Sequence, residues 1–303
     1  MSRILIFEVI FMKSIQLNRQ TGEILLAAVI IARATSFLFS KIVLETMGPM
    51  TLLAVRSLIA VTFLAILFHK RLKQMKLHTF LRGMLLGFTF FAVMMAELFS
   101  LKTTASSTVS FLENTAIVFV PIFECIIHRR FPRIPTVLSL AVTMVGIALL
   151  TLGGNDFSFT MTTGELLSLL AAMLYAVAII LTDRLSRQDD SFLLGILQVG
   201  FMGIFALIAA ILLETPRLPV GTTEWGCILA LAFVCSGFGF TLQPVAQSYT
   251  TAERAGLFCS LSPVAAAILG WLILKETFGF TGILGAVLVM AGILISTIVK
   301  QKE

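Results

Sequence analysis

Apolar runs of about twenty residues, separated by short polar or helix-breaking intervals, repeat along almost the whole chain of 303 residues. They fall at 24–44, 50–68, 79–99, 105–127, 135–152, 164–182, 191–213, 225–247, 255–274 and 279–299. A helix needs roughly 20 mostly apolar residues to cross a hydrocarbon core of about 30 Å. The pattern therefore predicts an all-α integral membrane protein with ten transmembrane helices and no stretch left over for a soluble domain. Breakers stand in the gaps: Gly48 and Pro49, Pro132 and Pro135, Gly153 and Gly154, Pro216 and Pro219. Period-two alternation, the mark of a membrane barrel, is absent, and helices satisfy their own backbone in lipid.

Composition agrees with the pattern, since 58% hydrophobic against 13% charged residues exceeds what a water-soluble core of this size uses. Charge then sets orientation. With a cytoplasmic amino terminus, Lys41, Lys102, Arg217 and Lys275 lie outside and Arg33 and Arg56 within spans, and every other Lys and Arg lies inside. The positive-inside rule thus places both termini in the cytoplasm, and the expected location is a bacterial inner membrane. The net charge of +6 is explained by loops against anionic lipid and calls for no nucleic acid.

Residues 1–21 form a cytoplasmic N-terminal segment. The apolar run Ile4–Met12 is not a signal peptide, because Glu8 interrupts it and no small-residue cleavage pattern follows. Either Met12 is the true start or the run is a surface helix. Cys125, Cys227, Cys235 and Cys259 lack metal-ligand spacing and read as core packing. His69, His78 and His128 sit in basic loops, so neither metal nor cofactor is expected.

The chain matches itself at an offset of 142 residues, with Gly22 and Glu23 over Gly164 and Glu165, Lys41 over Asp183 and Arg56 over Gln198. Later, Thr103–Thr104–Ala105 recurs as Thr250–Thr251–Ala252. Residues 22–152 and 164–299 then form two repeats of five spans each. An odd number of spans inserts the second copy upside down, the inverted arrangement by which transporters expose one site alternately to two sides.

Several strings carry a resemblance to the EamA-type transporters of the drug/metabolite transporter superfamily. The clearest runs from Leu257 to Ser296, with a serine and a proline (Ser262, Pro263), then Lys275 and Glu276, then a glycine-rich last helix. Arg56 in LLAVRSLIAV is similar to the arginine of the family's second helix. The first repeat departs from the pattern, having Ala116 where a proline is common and Arg129 or Arg130 near the usual glutamate. The resemblance implies ten helices as two inverted five-helix repeats around a central cavity. It also implies export or exchange of small metabolites, amino acids or toxic compounds.

Charges inside spans are expensive in a bilayer and point to function. Arg33 falls near the middle of the first span, with Ser36 and Ser40 following at helical spacing. It either grips an anionic group through its planar fork or locks two helices as an ion pair. In the fourth span Ser106, Ser110, Glu113 and Asn114 share a face. Glu113 can titrate for proton coupling, meet a substrate amine, or neutralise Arg33 or Arg56. Glu97 is expected to be an interfacial or gate partner, while Glu23, Glu124 and Asp183 are close enough to span ends to be solvated.

The repeat counterparts of Arg33, Arg56 and Glu113 are about Tyr175, Gln198 and Ser260, so charge gathers in one half, facing amide, hydroxyl and aromatic groups that include Gln243 and Gln247. The candidate substrate-binding set is Arg33, Ser36, Ser40, Arg56, Glu113, Asn114, Tyr175, Gln198 and Gln243, suited to a small zwitterion or organic anion. Pro121, Pro244 and Pro263 each remove a backbone hydrogen bond, and with Glu97 they are candidate gates. Gly83 with Gly87, and Gly292 with Ser296, read as helix-packing pairs. No P-loop, dinucleotide fingerprint, nucleophile elbow or HExxH occurs, which leaves a secondary transporter, with protons a candidate partner, working as a monomer or weak homodimer. The rival classes are an intramembrane enzyme and a non-catalytic membrane scaffold.

Overall fold

A computed structural model describes residues 19–104, 106–129, 134–152, 162–265, 268 and 280–299. The readings that involve Met1, Met12, the loop at Asp156, Lys275 and Glu276 lie outside the described residues.

Helix α1 spans Arg19–Leu44, α2 Pro49–Leu67, the short α3 His69–Lys73 and α4 Leu77–Thr103. The fourth span is divided into α5, Ser106–Asn114, and α6, Ala116–His128. Helix α7 covers Ile134–Leu152, α8 Thr163–Ser186 and α9 Ser191–Leu213. Next come α10, Gly221–Ala230, a π-helical segment, Leu231–Phe240, and α11, Thr241–Gln247, as one continuous rod. Helices α12, Ala252–Cys259, and α13, Phe280–Val299, complete the set.

Among the described residues seven stretches are long and apolar enough to cross a membrane, with two shorter apolar helices at Thr136–Leu149 and Ile283–Ile293. The expected span at 255–274 runs beyond the described set. Ile66, Leu77, Leu212 and Leu213 remain exposed, which suits lipid and would be a liability in water. The chain is a multi-pass membrane protein.

Two of the expected spans are interrupted, each for a local reason. At the α5–α6 junction the Asn114 side chain donates to Ser110 O at 2.6 Å, and the Thr115 hydroxyl donates to Leu112 O at 2.6 Å. These bonds compete with the helix ladder and tighten the turn. Pro121, a candidate gate, is buried inside α6, beyond this junction. In the other rod Pro244 has no N–H for the carbonyl of Phe240, the residue at which the ten-residue π segment ends.

Close packing follows the small residues. A Cβ at Gly87 would stand 3.0 Å from Gln198 O, and Gly83 lies against Leu197, so both seat α9 on α4 as expected. Gly203 meets Ser57 of α2, and Gly292 of α13 meets Ser139 and Thr143 of α7.

The loops sort into two ends. One gathers most of the described loop Lys and Arg residues, and ion pairs tie it together: Arg71 to Asp190 at 2.6 Å, Arg82 to Asp189 at 3.2 Å and Arg254 to Glu23 at 2.9 Å. Glu124 pairs with His128 at 3.1 Å and Asp183 with Arg187 at 3.0 Å, so these carboxylates are bonded rather than merely solvated. Asp190 caps α9 by accepting from the amides of Phe192 and Leu193. At the opposite end Glu214 accepts from the amides of Met50 and Thr51, both at 2.9 Å, and thereby caps α2 from the far end of α9. Glu224 there bonds Arg217 and the Thr46 hydroxyl.

Asp189 carries a pH prediction. Burial alone would raise its carboxyl, yet the Thr79 hydroxyl, the Asp190 amide, His78 and Arg82 together hold it below the usual carboxylate range. Because the folded form binds its proton more weakly than the unfolded form, its contribution to stability is present at neutral pH and is lost as pH falls through the folded value. Asp189→Asn should therefore flatten the acid side of a melting-temperature profile. An unchanged profile between about pH 3 and pH 6 would sink this account.

Candidate functional site

The described helices enclose a cavity near their mid-length, about 30 Å³ in water-sized space and lined by Arg33, Ser36, Glu97, Glu113, Asn114 and Tyr175 among others. Such a volume admits one or two waters, so a larger solute requires the walls to part.

Arg33 of α1 enters from one side. Its Nη1 donates to the Tyr175 hydroxyl and to Gln243 Oε1, the latter at 2.9 Å. Its guanidinium carbon lies 4.3 Å from the Phe240 ring centroid, 4.8 Å from that of Tyr175 and 6.0 Å from that of Phe90. Aromatic faces attract a cation without neutralising it. Gly239 makes the approach possible, since a Cβ there would stand 2.7 Å from Arg33 Cγ. The Tyr175 hydroxyl also sits 3.3 Å from Cys259 Sγ.

Glu97 of α4 and Glu113 of α5, 2% and 5% exposed, both line the cavity. Among the described residues Glu113 Oε2 has no hydrogen-bond partner. Asn114 lies beside it on the cavity wall. No Lys or Arg side chain comes within 4.0 Å of either carboxyl among the described residues, so neither serves as the ion-pair partner of Arg33 or Arg56. Glu97, expected to be an interfacial or gate partner, lines the central cavity, seven residues beyond Phe90 on the buried face of α4.

Several expected residues stand behind this shell. Arg56, fully buried, donates to Ser36 Oγ at 2.9 Å and to Met94 Sδ at 3.0 Å, and so holds two lining side chains. Ser40 stands 3.4 Å from Ser36, one turn along α1. Gln198 is buried in α9, away from the cavity, with both amide atoms lacking partners among the described residues. Gln243 reaches the site through Arg33. Pro121, Pro244 and Pro263 are buried and do not line it; Ser262, next to Pro263, does.

Sequence reasoning missed Cys235, Cys259 and Phe240 as lining residues. Cys235 and Phe240 are five apart, which puts them on different faces of an α-helix, and the π segment brings them to one wall. Cys259 carries no distinguishing spacing. Met94, which the sequence reading also passed over, stands three residues before Glu97 on the same face of α4, a spacing that could have marked it.

Comparison with known proteins agrees with this architecture. A model of the EamA-like transporter family matches residues 20–152 and again 162–298. The chain is 25% identical over 279 residues to a protein of Archaeoglobus fulgidus described as an uncharacterized transporter, covering 92% of this chain and 86% of that one. A second such protein of that organism is 26% identical over 294 residues, covering 95% of this chain and all of its own. A Bacillus subtilis protein described as the uncharacterized transporter YetK is 24% identical over 213 residues, covering 68% and 64%. A crystal structure matches with a TM-score of 0.74 at 16% identity, covering 92% of this chain and 97% of its own, which shows a shared fold. The chain belongs to the EamA-like transporter family and is a membrane transporter.

Proposed function

We propose that the protein is a secondary transporter that exports a small zwitterion or organic anion, such as an amino acid, across a bacterial inner membrane by alternating access. The observation that carries this reading is the cavity itself: a cation held by aromatic rings on one wall, a carboxyl pair and an amide on the other, and helices tied together at both ends. Arg33 takes the solute's carboxylate and Asn114 adds a polar contact.

Two inverted repeats support alternating access. Arg33 and Tyr175, 142 residues apart, touch, as paired positions do near a pseudo-two-fold axis. Gly22 at the start of α1 lies by Tyr249 at the basic end, whereas its counterpart Gly164 lies by Thr103 and Thr104 at the other end. On this reading Glu214 and the Asp190–Arg71 pair are the alternating outer and inner ties.

Counterflow in proteoliposomes against amino acids, organic acids and cationic drugs tests the class, and an absence of protein-dependent flux for every compound would favour an enzyme or scaffold. The same topology makes a prediction: reporters fused after Glu303 and near Lys73 should read cytoplasmic, and one near Asp156 external. A cytoplasmic reading at Asp156 would overturn both the orientation and the inversion.

A further inference from the structure

We infer that Cys259 is a positioning residue for the solute contact: through the Tyr175 hydroxyl it holds the Arg33 guanidinium so that the edge formed by Nε and Nη2 stays open to a solute's carboxylate. The inference rests on the reading of Arg33 as that contact and adds the residue that orients it.

The direction of each hydrogen bond follows from which group owns a hydrogen. Arginine carries donors alone, so Arg33 Nη1 donates to the Tyr175 oxygen. The single hydroxyl hydrogen of Tyr175 then points elsewhere, and its other partner among the described residues is Cys259 Sγ at 3.3 Å. The sulfur is able to accept because its own hydrogen goes to the Ala255 carbonyl, 3.2 Å away and one turn back along α12. The chain thus runs from α1 through α8 to α12 and ends on a backbone oxygen, which has no hydrogen to pass on. Turning it around would ask Arg33 to accept, which it cannot. Bonds in such a chain polarise one another, so the thiol's bond to Ala255 makes its sulfur a better acceptor for Tyr175. With the sulfur removed, the hydroxyl hydrogen loses its acceptor in an interior where Tyr175 is 5% exposed.

The same chain decides which part of Arg33 meets the solute. Nη1 is engaged by Tyr175 and by Gln243 Oε1. Nε is buried without a partner, and Nη2 makes no hydrogen bond among the described residues. These two nitrogens present parallel hydrogens along one edge of the planar group, the arrangement that fits the two oxygens of a carboxylate. A buried donor left unpaired is costly, and a ligand that takes it recovers the cost. The Phe240 ring, 4.3 Å from the guanidinium carbon, covers a face of the group and uses neither edge. Tyr175 and Gln243 therefore fix the rotation of the guanidinium, and Cys259 fixes Tyr175.

The test uses the full-length protein in lipid nanodiscs. Tyr175 and Tyr249 are the only tyrosines in the sequence, so in a Tyr249→Phe background the Raman tyrosine doublet reports Tyr175 alone. It should read as a phenol that both donates and accepts. Cys259→Ala should convert it to an acceptor only, and Cys259→Ser, which supplies an acceptor and a hydrogen for Ala255, should restore it. Binding is read separately by the rise in melting temperature with serine, leucine and succinate. For the carboxylates that stabilise the wild type, Kd should rise about three- to tenfold in Cys259→Ala, the range of one hydrogen bond, and less than about twofold in Cys259→Ser. Tyr175→Phe should weaken binding to a similar extent, and combining it with Cys259→Ala should add nothing further. Leucinol, which lacks the carboxylate, should act alike on the wild type and Cys259→Ala. An unchanged doublet in Cys259→Ala, no restoration by serine, additive losses in the double variant, or equal losses for leucine and leucinol would each overturn the inference. If none of the carboxylates stabilises the wild type, the solute reading of Arg33 fails and the open edge fails with it, while the doublet alone still decides the chain.

Discussion

Replacing Arg33 by alanine is expected to reduce transport at least 100-fold, a loss on the order of 3 kcal/mol, while most of the protein remains folded. The side chain is the only cation among the described residues that both lines the cavity and is held there by three aromatic rings. Arg33→Lys keeps the charge and loses the planar fork that reaches Tyr175 and Gln243 together, so it should retain a measurable but at least tenfold reduced rate, about 1.4 kcal/mol. Transport and melting temperature must be read side by side. If Arg33→Ala melts far below the wild type and its folded fraction transports normally, the arginine is a helix lock and not a solute contact. The structure already weakens that alternative, because no carboxylate within 4.0 Å pairs with Arg33 among the described residues and its bonds are to neutral groups.

Gly195→Ala is expected to destabilise the protein by about 1–3 kcal/mol, the usual range for overpacking. A Cβ at this position would stand 2.7 Å from the Thr241 carbonyl carbon and closer still to its oxygen. Backbone cannot swing aside as the end of a flexible side chain can. The contact also matters to function: Thr241 follows directly on Phe240, the ring 4.3 Å from the Arg33 guanidinium, so pushing it outward loosens the aromatic cage. Gly226, with nothing within 4 Å of an added Cβ, is the matched control, and Gly226→Ala should be neutral or raise stability by about 0.5–1 kcal/mol. Equal unfolding midpoints for the two variants would show that the close approach at Gly195 is not a packing constraint.

What the sequence determined by itself is what lipid demands of any chain. Runs of apolar residues set most of the helices, because an open backbone has no partner in hydrocarbon. Charges inside those runs pointed to Arg33 and Glu113, which line one cavity, since such groups are expensive in lipid. Self-similarity at 142 residues brought Arg33 and Tyr175 into register, and they meet in space. Tertiary structure decided which partner each polar group finds, because that depends on contacts between helices remote in the chain. Ser36 belongs to Arg56 and Gln243 to Arg33, neither of which spacing within one helix can reveal. It also decided the backbone exceptions. The π segment, ending at the carbonyl that Pro244 leaves free, turns Cys235 and Phe240 onto one wall, and Gln198, whose repeat position matches Arg56, lies outside the cavity because α9 is turned toward α2 and α4.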